Sequence, residues 1–386
     1  MDTASTPSRP DLRAQLRFDF EACRAGTLDI FDGMSEAEFR EPIHPQFSPL
    51  GWHLGHIAYT EAAWLIAECG ERPLPRPEYE AIFHVDAVPK AERSRRIPDP
   101  GTVKDYAASI RSEMLGCLDR VPIDRQQRLW RFVLQHEAQH TETVQLLLAL
   151  RSRVDAETVS AGGAERAIDW VPVPGGTVTI GLDTADALDN ERPCHPVHLA
   201  PFEIACDPVS QAHFAAFVAD GGYARSELWS GEGWDWLRET GVVQPLYWRE
   251  NAPDLPVCGV SAWEAEAFCR WAGVRLPTEF EWEAAIKKVK AEDGPHGMLG
   301  HVWEWTASPF APYPGFEPWP YPGYSQIYFD GRHRVLRGGS WATRPWARRP
   351  SFRNWYTPDT RQIFAGFRCA RDAASGRTPN NSKRSR

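Results

Sequence analysis

The chain has 386 residues and a formal net charge of −9, enough length for two domains that each bury a core. The acidic balance, with no long basic run before Lys383–Arg386, argues against a nucleic-acid partner. No apolar stretch reaches membrane-spanning length and the N-terminus has no signal-like apolar segment, so a cytoplasmic protein with no membrane partner is expected.

Residues 11–37 predict a helix, because Leu12, Leu16, Phe20 and Cys23 recur on one stripe. Ser48-Pro49 predicts an N-cap followed by proline at the first helical position, opening a second helix that runs to about Cys69. The segment 71–101 is a long crossover with a basic cluster of Lys90, Arg93, Arg95 and Arg96. A solvated charged loop is the plainer expectation there, with Arg93 and Arg96 as candidates to meet a substrate carboxylate or phosphate. Residues 102–120 and 126–151 predict two further amphipathic helices, completing a four-helix bundle. The polar stretch 151–166 reads as a linker.

Beyond it the pattern changes. Short strands are expected at 171–180 and 195–205, short helices at 211–220 and 261–272, and long irregular connections elsewhere. Of 17 tryptophans, all but three lie from Trp170 onward, which fits a loop-heavy fold and not a second bundle. The expected domains are 1–155 for the bundle and 165–372 for the second fold, with a disordered tail at 373–386. The eight cysteines show no CxxC pairing and are expected to be reduced and mostly buried.

The chemistry begins at Phe132-Val-Leu-Gln-His-Glu-Ala-Gln-His-Thr-Glu-Thr-Val144. His136 and His140 are four apart on a helix, so both imidazoles face one side and can reach one metal ion. A second cluster, Trp52-His-Leu-Gly-His56, opens an earlier helix. His53 and His56 are both candidates for a third ligand; three apart, they differ by about 60° around the helix. Three neutral imidazoles on one face of an octahedron leave three adjacent positions open, which suits Fe(II) oxygen chemistry. The rival is a zinc peptidase, because His136-Glu137-Ala-Gln-His140 matches HExxH with Glu137 as general base. No further Glu or His follows at peptidase spacing in that domain.

The later motifs carry a resemblance. Glu191-Arg-Pro-Cys-His-Pro-Val-His-Leu199, Pro256-Val-Cys-Gly-Val-Ser-Ala-Trp-Glu-Ala265, Arg275-Leu-Pro-Thr-Glu-Phe-Glu-Trp-Glu283, Val302-Trp-Glu-Trp-Thr306, Arg337-Gly-Gly-Ser-Trp341 and Gly366-Phe-Arg368 resemble a formylglycine-generating-enzyme domain. That resemblance implies a C-type-lectin-like α+β fold. Ser48-Pro-Leu-Gly-Trp-His-Leu-Gly-His-Ile57 and the His-Glu-x-x-His helix resemble a DinB-type bundle. The combined order is similar to the ergothioneine-type sulfoxide synthases and their selenoneine synthase relatives. The resemblance implies Fe(II), O2 and joining of sulfur or selenium to the imidazole of hercynine (Nα-trimethylhistidine).

It also implies His56, His136 and His140 as ligands, and Gln139 with Asn354 as groups that hold hercynine. Trp355, in Phe352-Arg-Asn-Trp-Tyr356, is a candidate aromatic face for the quaternary ammonium. Tyr321, Tyr324 and Tyr356 are candidate proton donors, and the Pro-rich run Tyr313–Tyr324 is expected to be an ordered loop over the site. Relatives that take γ-glutamylcysteine carry an Asp and an Arg after the Asn-Trp pair; here those positions are Tyr356 and Thr360. Without both charges the site is poorly matched to a zwitterionic dipeptide, although the adjacent Arg361 is a candidate to compensate.

The expectation leans to a selenoneine synthase using a selenosugar. The alternative is an ergothioneine-type enzyme using cysteine or γ-glutamylcysteine, and a non-enzymatic lectin-like binding module is a distant one. Formylglycine generation is not expected, since paired cysteines late in the domain are missing: only Cys369 follows Cys269.

Overall fold

The computed structural model describes residues 11–152, 167–249, 252–288 and 294–373. The expected linker, apart from Arg151 and Ser152, and the tail beyond Ala373 lie outside the described residues. The chain divides into two compact units, the first made of the N-terminal part through Val154 with Thr184–Leu188 and Ala342–Ala347, the second of the remainder.

The first unit is helical. Its long helices are α1 (Leu12–Ile30), α3 (Leu50–Glu61), α6 (Pro100–Leu118) and α7 (Ile123–Arg151). Short helices α2 (Glu36–Arg40), α4 (Glu80–Phe83) and α5 (Lys90–Arg96) lie between them. Helix α1 stops short of the expected end at 37. Phe31 N–H folds back onto Leu28 O, Gly33 takes a positive φ, and Ser35 starts α2 with a capping box to Glu38. Helix α3 continues as a π-helical segment, Ala62–Glu68, so the second expected helix reaches its predicted end. Its start differs: Pro49 occupies the cap position, and Ser48 Oγ accepts from Arg93 Nη1 at 2.6 Å instead of capping.

Helices α1, α3, α6 and α7 pack on one another around Leu16, Phe20, Leu54, Ile110, Trp130 and Val133, all nearly inaccessible. A polar centre crosses this apolar core, with one charged residue from each long helix. Arg24 of α1 donates to Glu61 (2.7 Å) and Glu137 (2.8 Å), and Arg111 of α6 donates to Glu61 (2.7 Å) and Glu137 (2.6 Å). The two buried charges of each sign balance, which is the condition for tolerating them there. Asp186 and Thr343, from the two short later segments of this unit, bond to Arg131 and Glu142 of α7.

The second unit is α+β. The strand expected at 171–180 is two, β1 (Trp170–Val173) and β2 (Gly176–Ile180), split at Pro174, which has no N–H to donate. The strand expected at 195–205 likewise divides into β3 (His195–Leu199) and β4 (Phe202–Ala205) around Pro201. The expected helices appear as α8 (Gln211–Ala219) and α10 (Ala262–Trp271); α9 (Gly231–Thr240) and α11 (Glu279–Lys288) were not expected. Strands β5 (Trp303–Pro309), β6 (Arg334–Arg337), β7 (Asn354–Tyr356), β8 (Ala365–Phe367) and β9 (Ala370–Asp372) follow. The sheets run β1-β4-β9, β2-β3 and β7-β6-β5-β8.

The motif residues of this unit are chiefly its internal ties. Glu279 accepts from Arg337 and Arg353, each at 2.8 Å, and Glu304 accepts from Arg368 (3.0 Å) and Trp282 Nε1 (2.8 Å), all of them buried. Gly338 holds φ +97°, and a Cβ there would meet Met298 O at 2.4 Å. Six of the eight cysteines are buried, and no disulfide is present among the described residues. No described helix is long and apolar enough to cross a membrane.

Candidate metal centre

Helix α7 has a register that turns His136 and His140 toward α3, and α3 presents His56 to them. One nitrogen from each of the three rings lies within 4.8 Å of the others. The ring centroids are 5.0 Å (His56–His136), 4.9 Å (His56–His140) and 4.4 Å (His136–His140) apart. His56 is buried, while His136 and His140 keep one edge open.

Outer contacts fix the His56 ring. Its Nδ1 meets Phe83 O at 2.7 Å, and a carbonyl only accepts, so Nδ1 carries the hydrogen and Nε2 presents a lone pair to the other imidazoles. Trp52, one turn earlier, stacks on His56 (4.4 Å, 13°) and donates from Nε1 to Ile82 O at 3.0 Å. The C-terminal carbonyls of the short helix α4 have no intrahelical donors, and α3 supplies two from consecutive turns. Gly55 permits this approach: a Cβ there would sit 2.2 Å from the Phe83 ring.

Burial, aided by Arg93, pushes the pKa of His56 down to about 4, and burial with neighbouring histidines pushes those of His136 and His140 well below the usual range. All three are therefore in the neutral form that binds metals. His140 Nε2 and His136 Nε2 are 3.1 Å apart, and His136 Nδ1 is buried without a partner. Converging nitrogens with few other partners fit a cation between them, and an all-imidazole set suits a first-row metal ion.

Glu137 points the other way. It accepts from Arg24, Arg111 and Thr27 in the bundle core. Burial raises its pKa, but Arg24 and Arg111 outweigh that and bring it down to about 2. A carboxylate so committed is not a general base for metal-bound water, and the zinc-peptidase reading loses its essential group.

Comparison with known proteins bears on the same site. The DinB superfamily matches residues 19–144, and the sulfatase-modifying factor enzyme 1-like domain matches residues 156–293 and 287–373. A hercynine oxygenase of Mycolicibacterium thermoresistibile is 37% identical, with 96% of this chain and 97% of the relative covered. One from Mycobacterium tuberculosis is also 37% identical, over 93% and 99%. The chain belongs to the hercynine oxygenase family. A formylglycine-generating enzyme of Streptomyces coelicolor is 30% identical over 53% of this chain, thus over only part of it. This member of the hercynine oxygenase family is accordingly an oxygenase with small-molecule substrates, built from the two expected domain types.

The other expected residues are distributed between the two units. In the first, Gln139 is half-buried on α7 beside His140, its Nε2 donating to Gln135 O at 3.2 Å. Arg93 is not in a solvated loop. It is buried on α5, stacked 3.9 Å over Trp52, and bonded to Val88 O and Ser48 Oγ; these bonds engage a guanidinium expected to meet substrate. Arg96, on the same helix, is exposed.

In the second unit, Asn354, Trp355 and Tyr356 form β7. Trp355 stacks on Phe310 (4.4 Å, 8°) and takes Tyr324 edge-on at 5.8 Å. Tyr321 is exposed, whereas Tyr324 and Tyr356 are half-buried. The Tyr313–Tyr324 loop is anchored at both ends: Tyr313 is buried against Glu279, and Ser325 just beyond bonds to Asn190 at 2.9 Å. Arg361 does not offer a free charge, since it pairs with buried Glu264 at 3.1 Å. Thr360 is buried and bonded to Thr357.

Two other features hold none of the expected residues. A cleft of about 490 Å³ in the second unit is lined in part by Arg275, Glu281 and Asp372, with Arg275 paired to both carboxylates. Cys206, Asp207 and His296 also converge, but the Asp207 and His296 side chains are 64% and 65% exposed. The sequence reading missed the Phe83 carbonyl, the Trp52 stack and the Arg24–Glu61–Arg111 network. Only Trp52 left a signal, lying one helical turn before His56.

Proposed function

We propose that this chain catalyses an O2-dependent carbon–chalcogen bond formation on the imidazole of hercynine, with Fe(II) held by His56, His136 and His140. The carrying observation is the convergence of three neutral imidazoles in a chain that matches hercynine oxygenases along nearly its full length. Held by these residues, the metal would bind O2 beside the substrates and relay to it the four electrons released as the carbon–chalcogen bond forms and the chalcogen is oxidised. The balance is one hercynine C–H, one thiol or selenol and one O2, giving a C–S or C–Se oxide and one water.

The chain's own residues orient and shield. His56 is fixed by Phe83 O and Trp52, and the bundle core behind α7 excludes water. Gln139, beside His140, offers an amide to the bound imidazole. The Trp355, Phe310 and Tyr324 cluster provides the aromatic surfaces a quaternary ammonium selects. Tyr321, Tyr324 and Tyr356 are the candidate proton donors. Changing the donor to Phe should lower coupled product and leave metal affinity unchanged, and wild-type rate and product ratio in all three Tyr→Phe variants overturns the assignment.

The relatives support an ergothioneine-type sulfoxide synthase. A selenosugar donor is the second reading, supported by Tyr356 and Thr360 in place of two charges and by Arg361 being neutralised by Glu264. Anaerobic loading with Fe(II), then O2 uptake with hercynine plus cysteine, γ-glutamylcysteine or a selenosugar, tests both. A hercynine–sulfur oxide identified by mass supports the first and a selenium adduct the second. Absence of hercynine-dependent uptake with every donor overturns the proposal.

A further inference from the structure

The three converging histidines differ in what stands behind them. His56 is backed by a carbonyl and His136 Nδ1 by nothing. His140 is backed by a fourth histidine: its Nδ1 lies 2.8 Å from Nδ1 of His53, a buried residue on α3 one turn before His56. The two rings are 5.1 Å apart, and His53 Nε2 has no hydrogen-bond partner. His53 is not among the three histidines whose ligand atoms converge.

Two ring nitrogens at 2.8 Å must share one hydrogen: two lone pairs would repel, and two N–H groups would clash. Either ring can be the donor. If His53 donates, neutral His140 carries its own hydrogen on Nε2, aimed at His136 Nε2 3.1 Å away. That arrangement forms a chain, His53 to His140 to His136, which fills the centre with a hydrogen and leaves no room for a cation. If His140 donates, its Nε2 becomes a lone pair, and with His136 carrying its hydrogen on Nδ1 all three inner nitrogens face the centre as acceptors.

We propose that His53 is a positioning residue whose Nδ1 accepts the hydrogen on His140 Nδ1, holding His140 in the tautomer that ligates the metal. The proposal rests on the reading of His56, His136 and His140 as ligands. An imidazole in this place does what a carbonyl or carboxylate does behind other metal-bound histidines. It differs in one respect: because it also donates, the same contact stabilises a closed, metal-free centre. The position of His53 follows from α3 geometry, since the turn that aims His56 at the centre puts His53 beside the last turn of the α7 pair.

Anaerobic titration of the full chain with Co(II) alone, against a chelator of known affinity, tests this together with the visible spectrum of the bound ion. Apo-protein melting checks folding of each variant. His53→Leu removes the acceptor and should weaken Co(II) binding by about 10–100-fold with a changed ligand-field spectrum. His53→Asn, whose amide oxygen reaches the position of Nδ1, should restore affinity to within a few-fold and recover the spectrum.

Wild-type affinity and spectrum in His53→Leu overturn the proposal, as does equal weakening in His53→Leu and His53→Asn, which indicates packing alone. His136→Ala separates this from the underlying reading. If it binds Co(II) as tightly as wild type, or wild type binds none, the metal centre itself fails and the positioning role falls with it.

Discussion

Neighbouring residues on one helix turn can serve opposite purposes, and His136 and Glu137 do. Successive residues are rotated by about 100°, so the register that aims His136 and His140 at α3 buries Glu137 among Arg24, Arg111 and Thr27. Glu137→Gln should therefore cost stability through two arginines left with one carboxylate, on the order of 3 kcal/mol, and leave metal affinity within a few-fold of wild type. Urea denaturation and Co(II) titration measure the two quantities; unchanged stability with lost metal-dependent activity would restore the general-base role. The spacing of His136 and His140 was legible in the sequence because helical periodicity ties it to one face. The four-way ion network was not, since Arg24 and Glu137 are 113 positions apart and no local pattern links them. The Phe83 carbonyl was equally invisible, because a backbone acceptor has no identity in the sequence.

Helix α3 shows how an element is shaped by what it must approach. Gly51 and Gly55 sit against the rings of Phe39 and Phe83, where an added Cβ would come within 2.1 and 2.2 Å. Helix propensity alone favours Ala over Gly by about 1 kcal/mol, but at Gly55 the Phe83 ring would have to move and take its carbonyl from His56. Gly55→Ala should lower the melting temperature and weaken metal binding together. Gly116, on α6, has its nearest side-chain atoms at 3.8 Å, so Gly116→Ala should raise the melting temperature and leave metal binding alone. Stabilisation by both would mean that the Phe83 approach does not depend on the missing Cβ. The partner of Gly55 was not legible: residues 71–101 were read as a long crossover with a solvated charged loop, whereas α4 packs on α3 and α5 brings Arg93 onto Trp52. In the second unit the motifs revealed the domain type, and the strand breaks were legible too, at Pro174-Gly175 and Ala200-Pro201, but were passed over in favour of the longer hydrophobic runs.

At the scale of the whole molecule, acid should act on the bundle through its buried histidines before its carboxylates. The folded pKa of His56 is lowered, chiefly by burial, to about 4, and that of His53, by burial and then His56, to about 3. Unfolded histidine titrates near about 6.5. The folded pKa lies below the unfolded one, so the unfolded chain takes up protons first. Metal-free stability is therefore fully present above about pH 6.5 and is lost progressively as pH falls toward the folded values. Glu137 acts in a lower window, between an unfolded value near about 4.3 and its folded value of about 2. The helix-rich unit thus has a sensitivity that far-ultraviolet ellipticity at helical wavelengths can follow during denaturation. Because the two units need not unfold together, the bundle transition must be separated from the total. Its urea midpoint in metal-free protein should fall steadily between about pH 7 and about pH 5. Saturating Co(II) at the upper pH should raise that midpoint by mass action, and the gain should shrink as unfolded-state protonation and loss of bound metal compete with it. A midpoint flat across that range in metal-free wild type would show that the histidines are solvated in the folded protein and that the convergence of His56, His136 and His140 is not a dry, neutral site. A metal-free His56→Gln variant supplies the internal control, since removing one buried imidazole should flatten the pH slope without abolishing it.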